Sequence, residues 1–459
     1  MTSLQPSIWA PEFETLSEQE RRAVEAPLIA RQIQYVYQHS EFYRTRMTDA
    51  GVADDEIADQ QSLAALPLLE KSDITDAQRE GALFGPHQCA DFRDIVRVVA
   101  TGGSSGQPTR LAWTRSDIEL YNEMGARALW TMGCRPSEMV INCFNYSLYA
   151  GGVMDHMAFE TLGAGVLAYG TSNSKRLMAL LQSLPQSGDV EQFALYSTPS
   201  YALRLHELAN EAGIALRDLP LRKGYFSGEP GLQMPGYRRS IEEAWNMQAM
   251  DLYGAAEVGV QSGECEHRSG LHYSGAGLVI AELIEPESGD VVEMSNGVEG
   301  EMVFTTLKRQ ACPLIRFRTH DVVRVQTGIC ECGRTSFRFH VLGRSDDMFI
   351  VKGVNVFPLA VHEAVLSLRP RTTGEFCIVL TESPPIDYSP IIYVELDSAL
   401  SATDRDIVLS TLHAAVAQQC NFSAKLVPVA AGTIASEHKT QRLYRCYEGQ
   451  QGPAFTTLQ

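Results

Sequence analysis

The run Ala100-Thr101-Gly102-Gly103-Ser104-Ser105-Gly106-Gln107-Pro108-Thr109 lies between an apolar stretch (Ile95, Val96, Val98, Val99) and a second strand-like piece, Leu111 to Thr114. Its glycines allow positive φ and let backbone N–H groups approach an anion. Thr101, Ser104, Ser105 and Thr109 add hydroxyl donors without bulk. A buried strand, a Gly/Ser/Thr loop and another strand make a phosphate cradle, although an exposed Gly/Ser hairpin turn accounts for the run equally well. A Walker P-loop is excluded, because Gln107-Pro108 stands where Gly-Lys-Ser/Thr would open a helix. Nor does a G-x-G-x-x-G open a helix here.

Four further stretches carry chemistry-bearing side chains. Tyr253-Gly254-Ala255-Ala256-Glu257 ends a strand with an aromatic ring, a glycine and a carboxylate. Pro313 to Asp321 sets Arg316 and Arg318 close to Asp321. Gly343 to Pro358 holds Arg344, Asp346 and Lys352-Gly353, and Ser436 to Arg442 carries Lys439. Singly each has a bland account: Glu257 as a surface carboxylate, Tyr253 as core, Asp321 as a partner of Arg316 or Arg318, Lys439 as a solvated lysine. Cys265-x6-His272 and Cys330-x-Cys332 sit among turn residues. Three thiolates and an imidazole make a closed tetrahedral zinc set without an open catalytic position, but the spacing alone favours unconnected reduced thiols.

The elements that must position these residues follow from pattern. Ser17-Glu18-Gln19-Glu20 is a capping box, and Val24, Leu28, Ile29, Ile33, Val36 and Tyr37 recur at helical spacing, so a long amphipathic helix opens the fold. Pro67 breaks the pattern before a short helix near Ser72, and Ser116 to Glu119 reads as the cap of a helix reaching roughly Met132. From Met139 to Gly254, strand-like runs (Val140 to Phe144, Val166 to Tyr169, Phe193 to Ser197) alternate with helices (Lys175 to Leu184, Tyr201 to Ala212). Such alternation implies parallel pairing in an α/β domain. Gly270 to Val325 is richer in strands and turns, and beyond Gly343 the texture becomes that of a small α+β domain, with strands at Phe376 to Leu380 and Ile391 to Leu396 and a helix from Thr403.

At 459 residues two or more domains are expected. Hydrophobic content of 44% with 20% charged residues describes a soluble globular chain. A net charge of −18 argues against nucleic acid or an anionic membrane as the main partner. There is no basic segment followed by an apolar run at the start and no stretch long enough to span a bilayer, so ten scattered cysteines suggest reduced thiols in the cytoplasm.

In their order and separations the motifs together resemble the acyl-adenylate-forming enzymes (acyl-CoA synthetases, adenylation domains and luciferases), and within them the phenylacetate–CoA ligase family. Trp9 to Glu14, Thr198-Pro199-Ser200-Tyr201, Ser227-Gly228-Glu229-Pro230 and Gly343 to Pro358 carry that likeness. The implied fold is α/β: a large N-terminal adenylate-forming domain (residues 1–343) with mixed sheets and flanking helices, and a small mobile α+β domain (344–459) hinged near Asp346. The implied reaction joins a carboxylic acid to ATP as acyl-adenylate, releasing pyrophosphate, then transfers the acyl group to CoA. Attack of one anion on another requires charge neutralisation and alignment.

By resemblance, Thr101 to Gly106 and Thr109 wrap the phosphates and Glu257 ligates Mg²⁺. Tyr253 and Gly254 face adenine opposite Ser227, Gly228, Glu229 and Pro230. Asp321 accepts from the ribose hydroxyls, Arg344 approaches ribose or phosphate, and Lys439 bridges acid and ribose as a mobile point charge. After adenylation the small domain turns about Asp346 and brings Lys352-Gly353 to the CoA side. The acid pocket is lined by Tyr146, Tyr149, Gly151, Asp155 and His156, with Tyr225 and Phe226 as further candidates, and suits an aryl or arylacetic acid. If Asp155 faces that pocket it favours an amino or hydroxyl substituent; otherwise it faces solvent or orients His156.

Two positions depart from the family pattern: Gln107 replaces the usual lysine and His438 the usual glycine before Lys439. Cys265, His272, Cys330 and Cys332 match positions that hold Cys, His, Cys and Cys in many such enzymes, some zinc-containing, so structural zinc stays open beside unliganded thiols, with His267 as a competing ligand. Two alternatives keep part of this reading: transfer to a carrier-protein phosphopantetheine or an amine, and a nucleotide-binding protein without catalysis. A homodimer is expected from the resemblance alone. Lys439→Ala is expected to abolish adenylate formation while sparing thioester formation from supplied acyl-adenylate; equal loss of both half-reactions in the purified variant overturns that role.

Overall fold

The computed structural model describes residues 7–101, 108–171, 173–186, 190, 192–434, 441–453 and 455–458. Two compact units divide the chain: residues 1–233 with 240–340, and residues 234–239 with 341–459.

The first unit opens on the helix Glu18–His39, started by the expected capping box, in which Ser17 and Glu20 satisfy each other's backbone N–H groups. Its Ile29, Ile33 and Val36 are buried against Tyr43, Met47 and Ile315. The next long helix, Arg115–Thr131, starts earlier than the sequence suggests. Thr114, with extended backbone, caps it reciprocally with Asp117, so Ser116 lies inside the helix. The Asp117 carboxylate also accepts the Gln310 and Ala311 N–H groups at 2.7 and 2.9 Å, tying the cap to a distant loop.

Among the described residues the main sheet has twelve strands. At one end Gly165–Ala168, Glu138–Asn142, Gln192–Ser197, Leu221–Phe226 and Gln248–Ala255 run parallel, as the strand–helix alternation implies. Phe193 to Ser197 are all buried, as befits a strand covered on both faces. From Gln248–Ala255 onward the pairing turns antiparallel through Gly259–Glu264 and Leu271–Tyr273 to Arg338–Arg344. Phe317–Gln326 lies next to that strand and pairs antiparallel with Glu299–Thr306, which is followed in the same sense by Val279–Ile284 and Val291–Val292. The strands around the glycine run, Ile95–Ala100 and Arg110–Thr114, form a separate antiparallel pair. The first of them is not the buried strand its composition suggests: the pairing runs its whole length, but Val96 and Val98, two apart and so on one face, are exposed, and only Val99 and Ala100 are buried.

In the second unit a four-stranded sheet takes the order Lys425–Ala430, Ile391–Leu396, Thr372–Leu380, Leu443–Arg445. The helices Pro358–Leu366 and Ala402–Cys420 share its core through Val361, Val365, Val408 and Leu412. Among the described residues no helix is long and apolar enough to cross a membrane.

Charges buried in the first unit predict a pH dependence. Burial pushes the Glu25 carboxyl up to about 7, against the favourable Arg21 charge and the Gly277 N–H. The folded protein therefore binds this proton more tightly than the unfolded chain, and stability falls as pH rises from about 4.5 to about 7. Glu25→Gln is expected to recover roughly 3 kcal/mol relative to wild type across that window. Denaturant midpoints of both proteins at pH 4.5 and 7.5 measure this.

Candidate active site

Most expected site residues lie just beyond the carboxyl ends of the parallel strands, where open α/β sheets place their crevices. The base of the glycine run is closed on itself. Thr101 N donates to Thr109 O at 3.0 Å and Thr109 N to Thr101 Oγ1 at 3.2 Å, with both threonines buried. Ala100 N donates to Leu148 O at 2.7 Å, which brings the loop base to the segment after Glu138–Asn142. Gly102, Gly103, Ser104, Ser105, Gly106 and Gln107 lie outside the described residues, as do His438 and Lys439.

The turn after Leu221–Phe226 holds Ser227, buried, with its N–H on Ser197 O at 3.2 Å. Glu229 accepts the Ser200 N–H, and Gly228 and Pro230 are exposed. One strand further along, Tyr253 donates its hydroxyl to Asp321 Oδ2 at 2.6 Å, joining residues 68 positions apart. Gly254 follows, exposed. The account of Asp321 as a partner of Arg316 or Arg318 does not hold. Arg316 binds Glu282 at 3.3 Å and the Ala64 and Leu66 carbonyls, whereas Arg318 binds Glu301 and Glu70 at 2.7 and 3.0 Å.

Glu257 is no surface carboxylate: it lies in the turn between Gln248–Ala255 and Gly259–Glu264 and is buried. Lys71 Nζ stands 2.8 Å from its carboxylate, and Arg309 donates to its backbone carbonyl. Sequence reasoning missed Lys71, which carries no motif. The segment reaches the site because Leu69 bridges to Phe317 and Glu70 meets Arg318 and His320.

The expected acid segment runs from the end of Glu138–Asn142 into the helix Ala150–Leu162. Tyr146 Oη lies 2.9 Å from His156 Nδ1, and His156 Nε2 lies 3.1 Å from Glu160. Tyr149 is exposed, and Gly151 adjoins the Phe144 ring. Asp155 neither faces solvent nor touches His156. It is buried, Tyr121 donating to Oδ1 at 2.6 Å and Tyr196 to Oδ2 at 2.5 Å. Burial pushes its carboxyl up to about 6, with the two phenols opposing the shift. Tyr225 donates to Glu138 at 2.6 Å and belongs to the core, as does the buried Phe226.

In the second unit Arg344 clasps Asp346 with two hydrogen bonds of 2.8 and 2.7 Å, and Arg445 donates to the Asp346 carbonyl. Lys352 and Gly353, both at positive φ, make the two-residue turn between Phe349–Val351 and Val354–Val356.

Cys265, His272, Cys330 and Cys332 converge, their ligand atoms all within 4.8 Å of one another. The Cys265–Cys330 sulfurs are 3.8 Å apart and Cys332 Sγ is 3.6 Å from His272 Nε2. Edges of a tetrahedron with Zn–S of ~2.3 Å and Zn–N of ~2.05 Å are about 3.8 and 3.6 Å, so these two separations are those that a zinc ion needs. Coupling between the Cys265 and Cys332 thiols lowers the pKa of the second and raises that of the first. His267 instead meets Glu331 and Glu266 and stands outside the set. The turn holding Cys330 and Cys332 is fastened by a buried Arg334–Glu14 ion pair at 2.6 Å.

No protein-family profile matches the chain. Among solved structures, that of 2-hydroxyisobutyryl-CoA ligase in the postadenylation state in complex with 2-HIB-AMP superposes with a TM-score of 0.87 at 27% identity, over 98% of this chain and 94% of that one. The same ligase in complex with 2-HIB-AMP and CoA gives 0.70 at 28% identity, over 97% and 94%. The architecture is therefore that of the adenylate-forming acyl-CoA ligases. The phenylacetate-coenzyme A ligase of Thermus thermophilus is 32% identical over 385 residues, 83% of this chain and 82% of that enzyme. The chain belongs to the phenylacetate–CoA ligase family.

Proposed function

We propose that the protein activates an aryl or arylacetic acid with ATP and passes the acyl group to CoA. The observation that carries this reading is the Tyr253–Asp321 hydrogen bond beside the turn of buried Glu257, in a chain of this family. In the first step a carboxylate oxygen of the acid bonds to the α-phosphorus while the bond to pyrophosphate breaks. In the second, the CoA thiol loses its proton and attacks the acyl carbon, and AMP leaves. Two negative reactants must be brought together, so cations and aligned donors account for most of the assistance.

The roles follow from these placements. Thr101 and Thr109 close the base of the phosphate loop Gly102–Gly106. Tyr253 and Gly254 border adenine opposite Ser227 to Pro230, and Asp321 accepts from ribose. Glu257 would hold Mg²⁺, which supplies charge neutralisation at the departing oxygens. Lys71, already on Glu257, adds the positive charge that Gln107 does not. Lys439 and Arg344 serve adenylation, and turning of residues 344–459 about Asp346 replaces them with the Lys352–Gly353 turn for thioester formation. Tyr146, Tyr149, Gly151 and His156 line the acid pocket. Cys265, His272, Cys330 and Cys332 hold a structural zinc that fastens two distant turns. The compartment we assign is the cytoplasm, and the assembly a homodimer.

Acid-dependent exchange of labelled pyrophosphate into ATP tests the reading, with aryl, arylacetic and short aliphatic acids in turn. Exchange with an aryl or arylacetic acid, converted to thioester on adding CoA, is expected. Exchange with aliphatic acids alone overturns the substrate class, and transfer to a carrier protein but not to CoA moves the acceptor. ATP binding without exchange for any acid replaces the reading by nucleotide binding alone. Protein purified without added zinc is expected to contain about one zinc per chain, the complement of one such closed site; less than a tenth of an equivalent removes that assignment.

A further inference from the structure

Asp155 is a buried carboxylate beside an apolar cluster of the first unit that includes Met154, Phe159, Tyr196 and Tyr121. Among the described residues no Lys or Arg pairs with it; its two oxygens are each taken by a phenol. Burying such a group is costly unless its lone pairs are satisfied, so filling space does not account for it. What distinguishes it is where the two phenols lead.

Tyr196 is the penultimate residue of the strand Gln192–Ser197, with its ring 4.6 Å from Phe144 and its carbonyl accepting Cys143 N–H at 2.8 Å. It thus borders the beginning of the acid segment, and the next residue, Ser197, accepts the Ser227 N–H of the nucleotide turn. Tyr121 leads to the metal turn. The Cδ2–Cε2 edge of its ring lies against Gly259, where a Cβ would sit 2.5 Å from Tyr121 Cε2 and φ is +116°. Gly259 is two residues beyond Glu257. Tyr121 also meets Trp113 edge-on at 5.4 Å, and Trp113 carries on its face the Arg309 that donates to the Glu257 carbonyl. One buried carboxylate therefore joins the walls of three expected subsites.

We propose that Asp155 is a positioning residue: through the Tyr196 and Tyr121 hydroxyls it fixes the acid segment relative to the turn that carries Glu257, and so sets which carboxylic acids are bound in line for attack. The proposal rests on the adenylation reading and assigns Asp155 no contact with substrate. The pocket then selects by shape, through the rings that Asp155 holds in place.

The test uses pyrophosphate exchange with full-length wild type, Asp155→Asn and Tyr196→Phe. The last removes a single hydroxyl and guards against a failure of the first to fold. Both variants are expected to raise KM for the preferred acid at least tenfold, to leave KM for ATP within threefold, and to narrow the preference between the best and second-best acid. The double variant is expected to lose no more than the worse single one, because the Tyr196 hydroxyl acts only through Asp155. Variants with lowered Tm but both KM values and the acid preference unchanged overturn the proposal and leave adenylation standing. Equal rises in both KM values overturn it too, as a general loosening. Absence of exchange in wild type with every acid fails the adenylation reading, and the proposal with it.

Discussion

The strand Gln248–Ala255 is the constraint on which the site depends. On one side it pairs in parallel with Leu221–Phe226, and on the other antiparallel with Gly259–Glu264. A parallel sheet brings the carboxyl ends of its strands to one edge, so the turns after Glu138–Asn142, Gln192–Ser197 and Leu221–Phe226 meet there. Because the next connection is a tight reversal rather than a helical crossover, Glu257 stays at that same edge. The antiparallel half then returns Phe317–Gln326 through the sheet, which delivers Asp321 to Tyr253.

Charge is handled in the interior by local pairing. The buried carboxylates Glu14, Glu25, Glu257, Glu282 and Glu301 face Arg334, Arg21, Lys71, Arg316 and Arg318 respectively. Removing the cation from such a pair leaves an uncompensated buried carboxylate, which is destabilising. Most of these pairs join segments far apart in the chain. Glu14 fixes the turn of Cys330 and Cys332, and Lys71 brings the amino-terminal region to Glu257. Asp155 differs in kind, being held by two neutral phenols whose rings belong to the walls of neighbouring subsites.

Local signals are legible where they rest on short-range physics. The capping box at Ser17, the alternating strands and helices from Met139, and the helix and strands of the second unit all match what neighbouring residues dictate. Sequence and structure part where burial or partner choice depends on distant chain. Ile95–Ala100 is apolar yet half exposed, since nothing in its own sequence states which face will be covered. Thr114 rather than Ser116 caps its helix because Asp117 is drawn to the Gln310 and Ala311 N–H groups.

The sequence by itself determined the class of fold, the family and the residue types available for chemistry, because periodicity, turns and ordered motifs are properties of the chain read in line. It also supplied Cys265, His272, Cys330 and Cys332 as a candidate set, without stating that they meet. Only the tertiary structure decided their convergence, the pairing of Tyr253 with Asp321, the presence of Lys71 at Glu257 and the withdrawal of Asp155 into the core. Each of these is a contact between side chains widely separated in sequence. Whether a carboxylate meets solvent, a cation or a phenol is fixed by sheet order and burial, and neither is written in the residues around it.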